Sequence, residues 1–180
     1  MIIQIRGTSG SGKTWVMRQV VGDLSKWTPI YAEGRKQPWY YVRENWALLG
    51  HYESTCGGCD NIGSAAAVYA LIRTVQAAIP NVNIICEGLL LSEDTKWSSQ
   101  LEGLRVLFLT TSLKDCISQI KARRKAAGNE KPLNESSTTK RVDVVERART
   151  KLERAGVVCR RAPASQAVDI ITKWMEENAI

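Results

Sequence analysis

The sequence predicts an α/β fold: a parallel sheet of about five strands, helices on both of its faces, and a basic lid segment in the last third of the chain. Three observations carry this. Short runs that are apolar on both faces alternate with amphipathic segments along the whole chain. Residues 7–14 read Gly-Thr-Ser-Gly-Ser-Gly-Lys-Thr and satisfy G-x-x-x-x-G-K-[ST], a P-loop, between an apolar run and a helical one. The charge is concentrated: residues 121–161 hold thirteen Lys and Arg against five Asp and Glu, whereas residues 1–120 hold eleven against ten.

Each element follows in order. Ile2-Ile3-Gln4-Ile5 is a strand, and Trp15 to Val21 is a helix after the P-loop. Ile30-Tyr31 is followed by the polar stretch Gly34-Arg35-Lys36-Gln37-Pro38, and Trp39 to Arg43 suits an edge strand. Trp46 to Tyr52 reads as a buried strand, and Ser54 to Ile62 as a loop rich in Gly and Cys. From Ser64 to Ile79 the apolar residues Ala65, Val68, Leu71, Ile72, Val75 and Ile79 form one helical stripe, with Ser64 at the N-cap. Val82 to Cys86 is a strand ending at Glu87-Gly88. Trp97 to Leu101 is a short helix, and Arg105 to Leu109 a further strand. A helix from Leu113 to about Ala127 turns basic at Lys121-Ala-Arg-Arg-Lys125, residues 128–138 are irregular, and a second basic helix runs from Thr139 to Ala155. Val157-Val158-Cys159 is a last strand, and Ala164 to Glu177 a closing amphipathic helix. At 180 residues this is expected to be one domain, with residues 121–140 as the lid-like segment. The absence of a long apolar run or a leader pattern leads to the expectation of a soluble, cytoplasmic protein.

The chemistry follows from the motif. In a P-loop, backbone N–H groups and a helix N-terminus converge on phosphate oxygens, which assigns Gly7, Thr8, Ser9, Gly10, Ser11, Gly12, Lys13 and Thr14 to nucleotide binding. Lys13 reaches the β- and γ-phosphates, and the Thr14 hydroxyl is a ligand for Mg²⁺. Parallel sheets place ligands outside the carboxyl ends of their strands. Residues 7–14, 51–60, Glu87 and 110–112 should therefore meet in one crevice. There Glu87 would hold Mg²⁺, partly through water, and Asp60 would be the base for an attacking hydroxyl, with Gly57 and Gly58 bending the loop inward. His51, Tyr52, Arg35 and Lys36 are candidate substrate contacts, and Arg123 and Arg124 candidate lid cations for transition-state charge. Trp39-Tyr40-Tyr41 beside Arg35, Lys36 and Arg43 suits either base stacking or a sheet edge. Trp15 and Trp174 are read as buried or half-buried. Cys56-Gly-Gly-Cys59 is half of a zinc site without a second pair, and loop geometry accounts for it as well.

Taken together, the P-loop of residues 5–14, the segment Leu49-Gly-His-Tyr-Glu-Ser-Thr-Cys-Gly-Gly-Cys-Asp60 and Cys86-Glu-Gly-Leu-Leu-Leu-Ser92 resemble the small P-loop kinases of tailed bacteriophages that hypermodify thymine. The resemblance covers most of residues 1–125. It implies a nucleotide-kinase-like P-loop fold and transfer of phosphate from ATP or another NTP to the hydroxymethyl group of 5-hydroxymethyluracil in DNA. It also implies that Asp60 and Glu87 flank the acceptor hydroxyl. The residues alone leave two other readings open: a kinase acting on a free nucleoside, nucleotide or metabolite, and an NTP-hydrolysing switch.

Overall fold

A computed structural model describes residues 1–54, 57–129 and 131–177. The chain forms β1 (Ile2–Arg6), α1 (Lys13–Val21), β2 (Thr28–Ile30), β3 (Tyr40–Arg43), β4 (Trp46–Leu49), α2 (Ala65–Ala78), β5 (Asn83–Glu87) and α3 (Leu89–Ser92). It continues with β6 (Leu104–Leu109), α4 (Leu113–Ala126), α5 (Glu135–Arg154), β7 (Val158–Ala162) and α6 (Ala164–Glu176). Short 3₁₀ turns lie at Leu24–Lys26, Cys59–Ile62 and Ser98–Gln100.

The sheet has seven strands in the order β2-β3-β4-β5-β1-β6-β7. The five from β4 to β7 in that order are mutually parallel. These are the expected five, and β3 and β2 extend them antiparallel at one side. Trp39 to Arg43 is therefore not the sheet edge: β2 covers it, and Tyr41 is 2% exposed. The strand at residues 46–52 stops at Leu49, where Gly50 takes a φ of 98°.

Period-2 alternation along the central strands divides the core. Ile2, Ile84, Cys86, Val106 and Phe108 face α2 and α5, packing on Val68, Tyr69, Ile72, Val75, Val145 and Leu152. Ile3, Ile5, Ile85, Leu107 and Leu109 face α1 and α6, packing on Val16, Met17, Ala167, Ile171 and Trp174. Helices thus cover both faces, and strands that are apolar throughout become intelligible. Ser64 caps α2 by accepting from the Ala67 N–H at 3.1 Å. Helix α5 begins at Glu135 rather than Thr139, because Asn134 supplies the cap by accepting from the Ser137 N–H. That shortens the irregular connection after α4. At Trp97–Leu101 the helix is only a 3₁₀ turn, ordered by the Asp94 carboxylate, which accepts from the Ser98 N–H and hydroxyl. The four-residue α3 has no counterpart in the sequence-based expectation.

Candidate active site

The carboxyl ends of β5 and β1 and the loop after β4 open on one crevice of about 800 Å³. Its lining includes Ser9, Gly10, Gly12, Lys13 and Thr14 from the P-loop, Trp15 and Arg18 from α1, Gly57 and Asp60, Glu87, and Gln119 and Arg123 from α4. Three of the four anticipated segments, residues 7–14, 51–60 and Glu87, thus meet in the crevice, whereas residues 110–112 do not line it. The Thr111 hydroxyl donates to the Ser11 carbonyl at 2.7 Å, which ties the end of β6 to the loop.

The P-loop runs under α4 at very short range. Gly10 has a φ of 76°, and a Cβ on it would lie 2.4 Å from the Cys116 carbonyl oxygen of α4. Only glycine permits both the turn and that approach. Lys13 is buried, and its ammonium donates to the carbonyls of Gly7 and Thr8 at 2.9 and 3.0 Å. Burial lowers its pKa, while Glu87 and Asp60 act in the opposite direction.

Glu87 is the last residue of β5 and 1% exposed. Its carboxylate accepts from the Thr14 hydroxyl at 2.8 Å. Burial pushes its pKa up to about 7, against the lowering effects of Lys13 and of the Thr14 hydrogen bond. A carboxylate held so far from water calls for a cation.

Asp60 stands in the 3₁₀ turn after Gly58, exposed in the same crevice, and its Oδ1 accepts from the Leu90 N–H of α3 at 3.1 Å. The turn is held from three directions. The backbones of His51 and Gly58 pair in both directions, at 2.8 and 3.3 Å. The Arg18 guanidinium donates to the carbonyls of Tyr52 and Ser54. The Arg35 guanidinium donates to the Asn61 carbonyl at 3.2 Å and lies 5.5 Å from the Trp39 ring centre.

Several candidates lie elsewhere than the sequence suggested. His51 and Tyr52 are each 5% exposed, behind the crevice wall, and neither His51 nitrogen has a partner among the described residues. Arg35 buttresses the Asp60 turn and does not line the crevice, and Lys36 is exposed outside it. Of the two lid arginines, Arg123 lines the crevice and Arg124 a separate pocket. Thr8 and Ser11 are buried beneath the loop. Cys56 falls outside the described residues. Cys59 is buried, donates to the Leu49 carbonyl at 3.6 Å, and has a strongly raised thiol pKa from its contact with Cys86 and from burial. It therefore has no thiolate character to offer a metal or a redox reaction. No cluster of three or more His, Cys, Asp or Glu suited to a metal occurs among the described residues.

Sequence reasoning missed Trp15, which is 51% exposed at the crevice mouth rather than in the core, and Arg18. The signal was there. Val16, Met17 and Val21 form the inner stripe of α1, and that spacing leaves Trp15, Arg18 and Gln19 facing outward.

A mostly parallel sheet with a P-loop after β1 and a carboxylate ending the neighbouring β5 defines a P-loop kinase. Comparison agrees on the fold: deoxyadenosine kinase from M. mycoides, solved with dCMP and dCDP, superposes with a TM-score of 0.51 at 17% identity over 98% of this chain and 99% of that one. The same enzyme with dCTP gives a TM-score of 0.51 at 16% identity. No protein-family model matches the chain.

Two phage proteins are closer in sequence. A 5-hmdU DNA kinase of Pseudomonas phage PaMx11 is 33% identical over 185 aligned positions, covering 97% of both chains. A 5-hmdU DNA kinase of Pseudomonas phage M6 is 28% identical over 160 positions, covering 83% of both. The chain belongs to this 5-hmdU DNA kinase family and is a phosphotransferase. No helix among the described residues is long and apolar enough to cross a membrane.

Proposed function

We propose that the protein transfers the γ-phosphoryl group of ATP, or of another NTP, to the hydroxymethyl oxygen of 5-hydroxymethyluracil in DNA. The observation that carries this reading is the pair of carboxylates on one wall of the P-loop crevice: Glu87 bonded to Thr14 at 2.8 Å, and Asp60 exposed one loop away. Names of relatives add the acceptor.

In this reading the P-loop amides and Lys13 hold the triphosphate. The hydroxymethyl oxygen forms a bond to the γ-phosphorus as the bond to the β,γ-bridging oxygen breaks, and the hydroxyl proton passes to Asp60. Arg123 faces the transferring group from α4 and offsets its developing charge. The basic segment 121–140, which carries Arg123, acts as the lid over this site. Mg²⁺ fits the hard oxygen donors offered by Thr14 and Glu87. When bound, it would neutralise phosphate charge. A base inside a duplex must leave the stack to reach the crevice, so flipping accompanies transfer to double-stranded DNA.

The test uses γ-labelled ATP, Mg²⁺ and three acceptors: an oligonucleotide containing hydroxymethyluracil, the same oligonucleotide with thymine, and free 5-hydroxymethyl-dUMP. Label is expected in the first alone. Label confined to the free nucleotide would show a small-molecule kinase, and phosphate release without a labelled acceptor would show an NTPase. Asp60→Asn is expected to slow transfer about 10²–10⁴-fold while leaving the Kd for ATP unchanged. Unaltered transfer would remove Asp60 as the base.

A further inference from the structure

Helix α4 separates two cavities. On one side is the crevice, lined from α4 by Gln119, Ala122, Arg123, Ala126 and Ala127. On the other is a pocket of about 320 Å³ at the turn into α5, lined by Lys121, Arg124, Lys125, Lys131, and the apolar Pro132 and Leu133. Four cations thus share a small concavity. Of these, Lys121 pairs with Glu135 at 2.6 Å. Arg124, Lys125 and Lys131 form no ion pair with a described residue. The Nη1 of Arg124 is inaccessible and has no acceptor among the described residues. Residues 121–135 carry five Lys and Arg against two Asp and Glu, so the segment stays positive with every carboxylate counted.

The rest of the basic third is different. Arg149 on α5 is bound by Glu146 and Glu153, and Arg141 lies 3.8 Å from Glu93. Lys140, Arg147, Lys151 and Arg154 on α5 form no ion pair with a described residue, but they are strung along an open helix face rather than gathered in a pocket. The unpaired cations that share one concavity sit next to the active site.

We propose that this pocket holds a backbone phosphate of the acceptor DNA strand, a few nucleotides from the base in the crevice. The inference rests on the DNA-kinase reading and deepens it. A helix with side chains is about 10–12 Å across. At about 3.4 Å of axis per nucleotide of one strand, crossing α4 corresponds to about three nucleotides. Arg124 and Lys125 supply phosphate donors, Arg124 with a fork suited to two phosphate oxygens. Pro132 and Leu133 offer an apolar wall for the deoxyribose. Arg123 and Arg124, adjacent in sequence, then serve two phosphates: Arg123 the one transferred, Arg124 the one that registers the strand.

The test compares wild type with Arg124→Gln/Lys125→Gln/Lys131→Gln by fluorescence anisotropy, using a labelled hydroxymethyluracil oligonucleotide across a salt series. The variant is expected to bind about tenfold more weakly at moderate salt. The slope of log K against log salt should fall by about 2–3, since each lost contact removes about 0.7–0.9. The Kd for ATP should not change. An unaltered slope overturns the inference, as does a loss of ATP affinity with DNA binding intact, which would give the pocket to the donor nucleotide. Arg147→Gln/Arg154→Gln, exposed on α5, is the comparison: a slope lowered there and not in the triple variant would place the strand on α5. Anisotropy needs no turnover, so the two readings fail separately. Wild type that binds the DNA without labelling it refutes the acceptor, and wild type that labels it with an unaltered variant slope refutes only the pocket.

Discussion

Gly58→Ala tests the wall of the active site at its tightest point. Gly58 has a φ of 88° and a ψ of −162°, a conformation essentially restricted to glycine. A Cβ there would lie 2.4 Å from Glu87 Oε1, 2.7 Å from Glu87 Cδ and 2.7 Å from the Glu87 carbonyl oxygen. Rotating the Glu87 side chain relieves only part of this, because the carbonyl belongs to β5, whose register with β1 pairs Glu87 with Ile5. The backbone contributes about 1–3 kcal/mol, and overpacking adds about 1–3 kcal/mol. Gly63→Ala isolates the first contribution: Gly63 lies in the same loop with a φ of 99°, and its Cβ would meet nothing within 4 Å. Both glycines hold a positive φ that disfavours alanine, so the difference between the two variants is mainly the contact. At about 2–4 °C per kcal/mol for a chain of this size, Gly58→Ala should melt about 6 °C below Gly63→Ala. It should also lose Mg²⁺-dependent ATP binding in a fluorescent-nucleotide titration, because Glu87 can no longer meet Thr14. Equal melting temperatures, with ATP binding intact in both, would refute the close packing of the Asp60 turn on Glu87.

Two further outcomes follow from the same site. Glu87 binds a proton more tightly in the folded protein than unfolded, with a pKa near 7 against an ordinary 4.5. Stability without nucleotide or metal should therefore fall as pH rises from 4.5 through 7, by about 3 kcal/mol at 1.36 kcal/mol per unit. Lys13, lowered from 10.5, contributes a slope of opposite sign on the alkaline side. Glu87→Gln should flatten the acid-side slope in urea unfolding across the range, and a wild-type profile already flat there would refute the buried-carboxylate account. Trp15 follows Thr14 on the first turn of α1 and is half exposed at the crevice mouth, where the base of a held nucleotide can stack on it. Trp15→Ala should weaken ATP binding about tenfold, within the 1–3 kcal/mol of base–aromatic stacking, while tripolyphosphate binding measured by calorimetry stays the same. Equal losses for both ligands would show that Trp15 supports the loop rather than the base.

The donor half of this site was legible in sequence because it is local. Eight consecutive residues carry the P-loop, and a strand before and a helix after it fix their context. Glu87 was legible for a related reason: a carboxylate closing an apolar strand has few positions other than a sheet terminus. The acceptor half depends on contacts between segments far apart in the chain. Nothing near Arg35 indicates that it donates to the Asn61 carbonyl. His51 reads as a substrate contact until its backbone is seen pairing with Gly58. The antiparallel β2–β3 pair was the least legible part of the fold. Thr28-Pro29-Ile30 is three residues with a proline, and only its pairing with Tyr40–Val42 marks it as a strand. Arg123 and Arg124 could not be separated in sequence, because neighbours on a helix point about 100° apart and only the packing of α4 decides which of them meets the crevice.

The two carboxylates divide by environment, and that division bears on how the reaction is gated. Glu87 is shut away beneath Thr14, where desolvation opposes its charge and Lys13, the Thr14 hydroxyl and Arg18 favour it. Asp60 is exposed and anchored by a backbone N–H that belongs to the segment immediately after Glu87. A cation arriving with the nucleotide would draw Glu87 to the ionised form without displacing Asp60, whose anchor is a peptide group and carries no net charge. The donor side is thus sensitive to metal and pH, while the acceptor side keeps its geometry throughout. In the proposed reading, loading of nucleotide and metal need not wait for the polymer and would complete the charge balance of the crevice before an acceptor hydroxyl meets Asp60. What then limits productive encounters is delivery of the right base to a preformed wall. In the proposed reading the cations beyond α4 would register the strand, and choice of the base itself would fall to the crevice.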